Sequence, residues 1–170
     1  MSIAAPATTT RGVVFVHACP SAVAPHVEWA LAEVLARPVT LTWSPQPAAP
    51  GQLRAEVAWS GPVGTAARLA AGLRGWPMLR FEITEEPTAR SDGERLAYVP
   101  GRGFHRSIVS ANGDVLVGEE RLRGLLDRAR TADDLRHGLH ELLGSAWDAE
   151  LEPYREAGDG APVSLLHHVG

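Results

Sequence analysis

Two side chains able to act as a nucleophile and a base, Cys19 and His17, follow a short apolar run, Val13–Val16. A thiol beside an imidazole is the arrangement of a cysteine nucleophile and its general base. Residues two apart share one face of an extended strand, which favours a Cys–His pair. The sequence shows no third group to orient the imidazole and no oxyanion-hole motif. We interpret both as packed residues and keep them as the candidate catalytic pair of an alternative, enzymatic hypothesis.

A small-residue segment opens the predicted second helix and is a candidate ligand site. Gly61, Gly64 and Thr65 leave free N–H groups at a helix start, a place that suits phosphate or carboxylate. The segment lacks the lysine and the length of a Walker loop. The alternative is that the glycines serve close packing between helix and sheet.

Two arginines extend this candidate ligand site. Arg54 and Arg80 are predicted on the open face of the sheet, where a guanidinium group could hold a carboxylate through two hydrogen bonds. Cross-strand ion pairs with Glu56 and Glu82 are the alternative use of these arginines.

The polar side of the predicted first helix carries His26, Glu28 and Trp29. Tryptophan is enriched among residues that anchor protein interfaces, so we predict a partner-binding surface here. Burial of Trp29 under the C-terminal helices is the alternative.

We predict no metal site and no cofactor. His137 and His140 lie three residues apart beside Glu141, which is not the HExxH spacing of zinc proteases, so we interpret them as solvated helix surface. His167 and His168 give no further support for a metal site. All 16 basic residues are arginine, so no lysine is present for Schiff-base chemistry.

The composition excludes several classes of function. A net charge of −4 does not support sequence-independent binding of nucleic acid. The single cysteine excludes a disulfide framework and fits a reducing, cytoplasmic location. Residues 1–10 resemble a disordered tail rather than a signal peptide, and no apolar run has the length of a membrane span.

Hydrophobic periodicity predicts six elements in the first half of the chain. Apolar runs and apolar–polar alternation predict strands, whereas apolar residues spaced at i, i+3 and i+4 predict helices. Proline and glycine mark the ends of these elements. In order, the elements are a strand at 13–16, a helix at 25–35, strands at 39–43 and 53–59, a helix starting at 61–62, and a strand at 79–84. This order predicts a ferredoxin-like βαββαβ sandwich over residues 11–86, with both helices on one face of a four-stranded sheet.

Residues 87–170 are predicted to form a β-hairpin and a helical subdomain that pack on the first unit. Strands are predicted at 95–99, 104–110 and 114–117, with Asn112-Gly113 as the hairpin turn. A helix follows from Glu119, and another begins at the Thr131–Asp134 capping box and continues towards Tyr154. The hairpin or these helices are the candidate cover of the open sheet face.

Several strings of the sequence resemble an uncharacterised actinobacterial protein family with no assigned function. They are RGVVFVHACPSAVAPHVEWAL, TWSPQPAAPG, GTAARLAAGLRGWPMLRFEITEEP and AWDAELEPYREAGDGAPVSLLHHVG. The resemblance implies a cytoplasmic actinobacterial protein associated with fatty-acid-synthesis genes. It implies no catalytic residues.

We therefore predict a non-enzymatic accessory or regulatory protein that binds another protein. Its partner is predicted to be an acyl-CoA carboxylase or another component of fatty-acid synthesis. The alternatives are a binding module for an acyl-CoA or carboxylate ligand and a small enzyme that uses His17 and Cys19.

Overall fold

One antiparallel sheet of seven strands organises residues 8–157, the part of the chain that the computed structural model describes. The strands are β1 Thr9–Pro20, β2 Ser44–Pro45, β3 Gln52–Pro62, β4 Arg80–Glu85, β5 Gly93–Val99, β6 Gly103–Val109 and β7 Val115–Leu116. The helices are α1 Ala24–Leu35, α2 Thr65–Leu73, α3 Glu119–Arg128, α4 Ala132–Leu143 and α5 Ser145–Glu156. The strand order is β2-β3-β1-β4-β5-β6-β7, which defines an α+β protein.

The prediction that the first strand is central is confirmed. β1 pairs with β3 on one side and β4 on the other, and Val14 lies opposite both Val57 and Ile83. Val14 and Val16 are buried on the face that α1 and α2 cover. An unbroken apolar run suits this position because Val14 and Val16 lie in the core and Phe15 is buried on the opposite face.

The main core lies between the sheet and the pair α1 and α2. Each helix contributes an apolar stripe, and its fully buried members are Val27, Leu31, Leu69 and Leu73. The periodicity of the sequence predicted the stripe of α1. In α2 the predicted Ala66, Ala70 and Leu73 are buried, but the predicted Val63 and Ala67 are exposed and Leu69 is buried instead.

The predicted strand over residues 39–43 is wrong. Residues 38–43 are not part of a strand, and only Ser44 and Pro45 pair with β3. The N–H of Leu41 donates to Oε1 of Glu28, 2.8 Å away. A helix side chain therefore satisfies a backbone group that a strand ladder would otherwise use.

The predicted start of the second helix at Gly61-Pro62 is also wrong. Pro62 is the last residue of β3, where it lies opposite Thr9. α2 begins at Thr65, after Gly64 at φ +90°. β1 likewise begins before Arg11, the boundary that we predicted for the first unit.

The predicted hairpin forms, but it extends the sheet instead of covering it. The Ser110 N–H donates to the Asp114 carbonyl across the Asn112-Gly113 turn, and β7 pairs with β6. β5 pairs with β4, so the N-terminal and C-terminal strands share one sheet.

The Thr131–Asp134 capping box is confirmed, with both reciprocal hydrogen bonds present. A single helix from Thr131 to Tyr154 is wrong, because Gly144 at φ +74° separates α4 from α5. Glycine adopts this left-handed conformation without strain, and a side chain here would also collide with the ring of His105. Within residues 8–157, no helix combines the length and apolarity needed to cross a bilayer.

Candidate functional site

α5 lies against the sheet face opposite α1 and α2. Leu151 is fully buried and packs with Ala97 and Val99 of β5, and Trp147 packs at the edge of this cluster. The Trp147 indole N–H donates to the Gly103 carbonyl at 3.0 Å. α5 therefore covers part of the second face.

A buried carboxylate, Glu82 of β4, forms the centre of the charged contacts below α5. Its Oε2 lies 2.7 Å from Nε2 of His17 and accepts a hydrogen bond from Nε of Arg155 at 2.8 Å. Its Oε1 accepts from Nη2 of Arg155 at 2.5 Å. All three side chains are buried, so the central strand, its neighbour and the last described helix meet in one ionic network.

The hydrogen bonds of this network keep Glu82 ionised. Burial alone would raise the pKa of Glu82, but the hydrogen bonds and charges of His17 and Arg155 outweigh it and hold the pKa well below its ordinary value. Burial would conversely lower the pKa of Arg155, and the interactions with Glu82 and Asp148 raise it instead. The buried ion pair therefore keeps both charges over the whole physiological pH range.

Three further side chains complete the network. Nη2 of Arg95 lies 2.7 Å from Oδ1 of Asp148, which also accepts from Arg155 at 3.0 Å. Nη1 of Arg155 lies 3.1 Å from Glu152. These contacts tie α5 to β4 and β5 through charge as well as through apolar packing.

A pocket of about 490 Å³ lies on the second face beside this network. Its polar lining includes His17, Glu82, Arg95 and Arg155. Its apolar lining includes Val13, Phe15, Pro87, Val109, Ala111 and Val115. A mostly apolar cavity with a few converging polar groups is the usual form of a small-molecule site.

Five buried side-chain polar atoms among residues 8–157 lack a hydrogen-bond partner, and two of the five belong to residues in or next to this pocket. They are Nε of Arg95 and Oγ of Ser107, and both residues are buried. Arg95 and Ser107 are directly opposite each other on β5 and β6, and Ser107 shares its strand face with Val109 of the pocket. Buried polar atoms are rarely left unpaired, so Arg95, which lines the pocket, and Ser107, which is adjacent to it, retain unused hydrogen-bonding capacity, although both atoms are shielded from solvent.

The other acidic side chains that border the pocket already accept hydrogen bonds or form ion pairs within the chain. The Glu85 carboxylate accepts from the N–H groups of Gly64 and Ala66. Glu86 pairs with Arg11 at 2.6 Å, and Glu94 pairs with Arg106 at 2.5 Å.

The structure separates His17 from Cys19. The ladder shifts register between Val16 and Cys19, and this bulge places Cys19 in the core below α1 while His17 points to the second face. Burial raises the pKa of the Cys19 thiol to about 11. The expectation that both side chains share one face is therefore wrong, because alternation fails at a bulge.

The predicted anion site at Gly61, Gly64 and Thr65 already holds a carboxylate of the chain. Glu85 accepts the Gly64 N–H at 2.7 Å and the Ala66 N–H at 2.9 Å. An external anion would have to displace Glu85, so ligand binding at this helix start stays a prediction. Gly72 of α2 faces Ala30 and Val34 of α1, so this glycine serves contact between helices rather than contact with the sheet.

Arg54 and Arg80 lie on strands separated by β1, and neither lines the 490 Å³ pocket. The guanidinium carbon of Arg80 lies 4.8 Å from the centroid of the Tyr154 ring. Arg54 borders a separate cleft of about 250 Å³. Within the described residues, neither arginine forms an ion pair with Glu56 or Glu82, and joint binding of a carboxylate stays a prediction.

The predicted partner surface divides into two parts. Trp29 is 65% exposed, and its ring contacts His26 in an edge-on arrangement. His26 also approaches Trp76, and the three rings border a cleft of about 510 Å³ between α1 and α2. Glu28 instead accepts hydrogen bonds from the Leu41 N–H and the Trp43 indole, so it holds the chain after α1.

The histidines of α4 lie on the protein surface. His137 is 3.4 Å from Glu141, and Nδ1 of His140 is 3.0 Å from the Ser145 hydroxyl. No group of three or more His, Cys, Asp or Glu side chains within residues 8–157 could hold a metal ion. His167 and His168 lie outside the described residues.

Sequence reasoning missed most of the buried network. It placed Glu82 on the open face but assigned no role to Arg95, Asp148 or Arg155. One signal was available, since Asp148, Glu152 and Arg155 recur at helical spacing beside the apolar Leu151. A charged stripe next to a buried leucine indicates ionic contacts below a helix, although it does not identify their partners.

The fold and the pocket define a mixed α and β protein that holds an amphipathic cavity over a buried ionic network. The chain belongs to the family described as "Protein of unknown function (DUF3145)", whose family model matches residues 13–168. No curated protein and no solved structure matches the chain.

Proposed function

We propose that the protein binds a small molecule with an apolar body and a terminal carboxylate in the 490 Å³ pocket. The observation that carries the proposal is the pair of unpartnered polar atoms, Arg95 Nε and Ser107 Oγ. Nε is a donor only and a hydroxyl can donate, so both accommodate a ligand oxygen that accepts hydrogen bonds. A carboxylate has two such oxygens and a charge that favours arginine.

The apolar lining and the size of the cavity support the rest of the ligand. Val13, Phe15, Val109 and Val115 contribute hydrocarbon surface to the lining of the same pocket. The volume lies within the range of about 300–1,000 Å³ that small-molecule pockets occupy.

The charges near the pocket favour a free acid over its coenzyme A ester. Coenzyme A carries phosphate groups, which need cations. Arg11 and Arg106, which pair with acidic residues that border the pocket, are already engaged by Glu86 and Glu94, and Arg155 is engaged by Glu82. Arg95 is itself paired with Asp148, so the proposed carboxylate uses only its remaining Nε–H and the Ser107 hydroxyl, which is less than the phosphates of coenzyme A need.

Thermal unfolding with a panel of straight-chain and aromatic carboxylic acids tests the proposal. Each acid is compared with its methyl ester and its coenzyme A ester at equal concentration. A ligand at 100 times its dissociation constant stabilises the folded state by about 2.7 kcal/mol. For a chain of this size that raises the melting temperature by roughly 5–10 °C.

Ser107→Ala provides the sharpest variant, because it removes a hydroxyl that makes no hydrogen bond within residues 8–157. We expect the variant to fold with unchanged or higher stability and to bind the acid about tenfold more weakly. Ser60→Ala, at an exposed position, is the matched control. The proposal fails if no acid raises the melting temperature, or if acid and methyl ester raise it equally.

A second candidate function, binding of a protein partner at α1, has its own specific observation. Trp29 is 65% exposed beside Trp76 and His26, and large aromatic side chains anchor many interfaces. Affinity capture with the wild type and with Trp29→Ala tests it. A partner retained equally by both proteins would argue against this surface.

The finer predictions of fold and context remain proposals. The neighbours of β1 and the antiparallel pairing of β2, β3 and β4 support a ferredoxin-like βαββαβ unit in the first half of the chain. Actinobacterial origin, a cytoplasmic location and a link to fatty-acid synthesis rest on the resemblance and the composition. Purification of the native protein, with identification of what copurifies, tests that link.

A further inference from the structure

His17 has one ring nitrogen that the buried ionic network does not use. Its Nε2 lies 2.7 Å from Oε2 of Glu82, whereas its Nδ1 forms no hydrogen bond within residues 8–157. The side chain is buried, yet Nδ1 is not among the five unpaired atoms that are shielded from solvent, so it borders open space. An imidazole with one nitrogen held and the other free is oriented for contact with a bound molecule.

His17 lies where two cavities meet. His17 and Phe15 border both the 490 Å³ pocket and the cleft of about 250 Å³ that also contains Arg54. The rings of Phe15 and His17 are stacked, with centroids 6.2 Å apart and planes 16° from parallel. The Gln46 side chain donates to the His17 carbonyl at 2.7 Å, so the backbone is held as well. His17 therefore has a fixed position at the edge of the pocket.

Glu82 decides which nitrogen of His17 carries the proton. Both oxygens of this carboxylate accept hydrogen bonds from Arg155, and these charge-assisted hydrogen bonds keep it ionised. Because an ionised carboxylate only accepts hydrogen bonds, Nε2 of His17 must donate to it. In the neutral ring the proton is therefore on Nε2, and Nδ1 presents a lone pair. A lone pair binds a ligand group that donates a hydrogen bond.

The charges around the ring favour an uncharged donor. Glu82 of β4 and Arg155 of α5 lie on the Nε2 side and form an ion pair with each other. On the side of the cleft, β3 contributes one cation and one anion, Arg54 and Glu56. A ligand ammonium group would add a positive charge to surroundings in which cations and anions already balance. A hydroxyl needs no counter-ion, so it suits Nδ1 better.

We propose that Nδ1 of His17 accepts a hydrogen bond from a ligand hydroxyl, so that the pocket selects hydroxylated carboxylic acids. This inference rests on the proposed function, because it names a second polar group of the same ligand. His17 and Arg95 contact opposite oxygens of Glu82, at 2.7 Å and 3.7 Å, so one small molecule can reach both. His17 is on β1 and Arg95 on β5, so the ligand crosses the intervening β4.

Nitrogen-15 NMR of the labelled full chain tests the position of the proton without any ligand. The spectrum distinguishes an N–H from a lone pair at each ring nitrogen, and comparison with His17→Gln assigns the signals of this ring. We expect the neutral ring to carry its proton on Nε2. A neutral ring protonated on Nδ1, or a ring that keeps both protons from about pH 6 to about pH 9, overturns the proposal.

Calorimetric titration, at a pH where NMR shows the neutral ring, compares hydroxy acids with their methoxy analogues. Methylation keeps the ligand oxygen but removes the proton that it donates. With the hydroxyl placed at successive carbons, we expect the best hydroxy acid to bind about 3- to 10-fold more tightly than its methoxy analogue. His17→Gln, whose amide nitrogen still reaches Glu82 as a donor, abolishes this preference. His137→Gln, at an exposed position of α4, keeps it.

The outcomes separate this inference from the proposed function. If unsubstituted acids bind but no hydroxy acid binds more tightly than its methoxy analogue, this inference fails and the proposed function stands. If no acid binds, the proposed function fails, and straight-chain alcohols compared with their methyl ethers then test Nδ1 alone. An alcohol without advantage over its ether overturns the inference, as does a preference that a folded His17→Gln variant retains.

Discussion

Glu82→Gln is the most informative perturbation of the buried network. The substitution keeps the volume of the side chain but removes the charge that accepts two hydrogen bonds from Arg155 and lies 2.7 Å from Nε2 of His17. Removing one partner of a buried ion pair leaves an uncompensated charge and costs about 3–5 kcal/mol. Arg155 keeps contacts with Asp148 and Glu152, so we expect the lower end, about 3 kcal/mol.

Urea denaturation and thermal melting measure this loss. A loss of about 3 kcal/mol lowers the melting temperature of a chain of this size by roughly 6–12 °C. Glu56→Gln is the matched control, since Glu56 lies on the same sheet but is exposed. We expect this control to change the free energy of unfolding by less than about 0.5 kcal/mol.

A double-mutant cycle with Arg155→Met isolates the interaction between the two side chains. Contacting charged residues show coupling energies of about 0.5–3 kcal/mol, and this buried pair should lie in the upper half of that range. If Glu82→Gln destabilises the protein no more than Glu56→Gln, or if the cycle shows no coupling, the network does not hold α5 on the sheet.

Three further predictions follow from single contacts. Burial, with the charges of Arg95 and Arg121, lowers the pKa of His105 although Asp148 opposes this. The unfolded chain therefore binds the extra proton, and the free energy of unfolding falls as the pH drops below about 6.5. His105→Gln should flatten this dependence between about pH 8 and pH 5, and an unchanged slope would contradict the assignment. The buried Cys19, with its pKa raised to about 11, should react with a disulfide reagent at neutral pH only as fast as the protein unfolds. Rapid labelling of the native protein would contradict this prediction and support a reactive thiol at Cys19. Glu85→Gln should cost about 1–2 kcal/mol in urea denaturation because the carboxylate caps α2, whereas the exposed Glu86 tolerates the same change.

The elements with strong hydrophobic periodicity were predictable because the spacing of their buried residues follows directly from helix or strand geometry. The central strand, the stripe of α1, the Asn112-Gly113 turn and the Thr131 capping box all depend on residues within one element or its immediate neighbours. The errors occurred where distant residues intervene. Residues 39–43 alternate like a strand, yet Glu28 takes the Leu41 N–H and the ladder does not form.

The candidate site was less predictable than the fold. His17 was identified as a chemically capable residue, but its partner Glu82 lies 65 residues further along the chain, and Arg155, the second partner of Glu82, lies 73 residues beyond Glu82. No local pattern encodes such a contact. The bulge after Val16 also reversed the expected relation of His17 and Cys19, since one extra residue moves every following side chain to the other face.

The sequence by itself determined the class of the protein, the positions of most strands and helices, and the absence of lysine chemistry, because these follow from composition and short-range periodicity. Only the tertiary structure decided that the C-terminal strands extend the first sheet, that α5 covers part of the second face, and that a pocket lies beside Glu82 and Arg95. The physical reason is that charge pairing and cavity shape depend on which distant side chains meet, and that is set by how the whole sheet assembles.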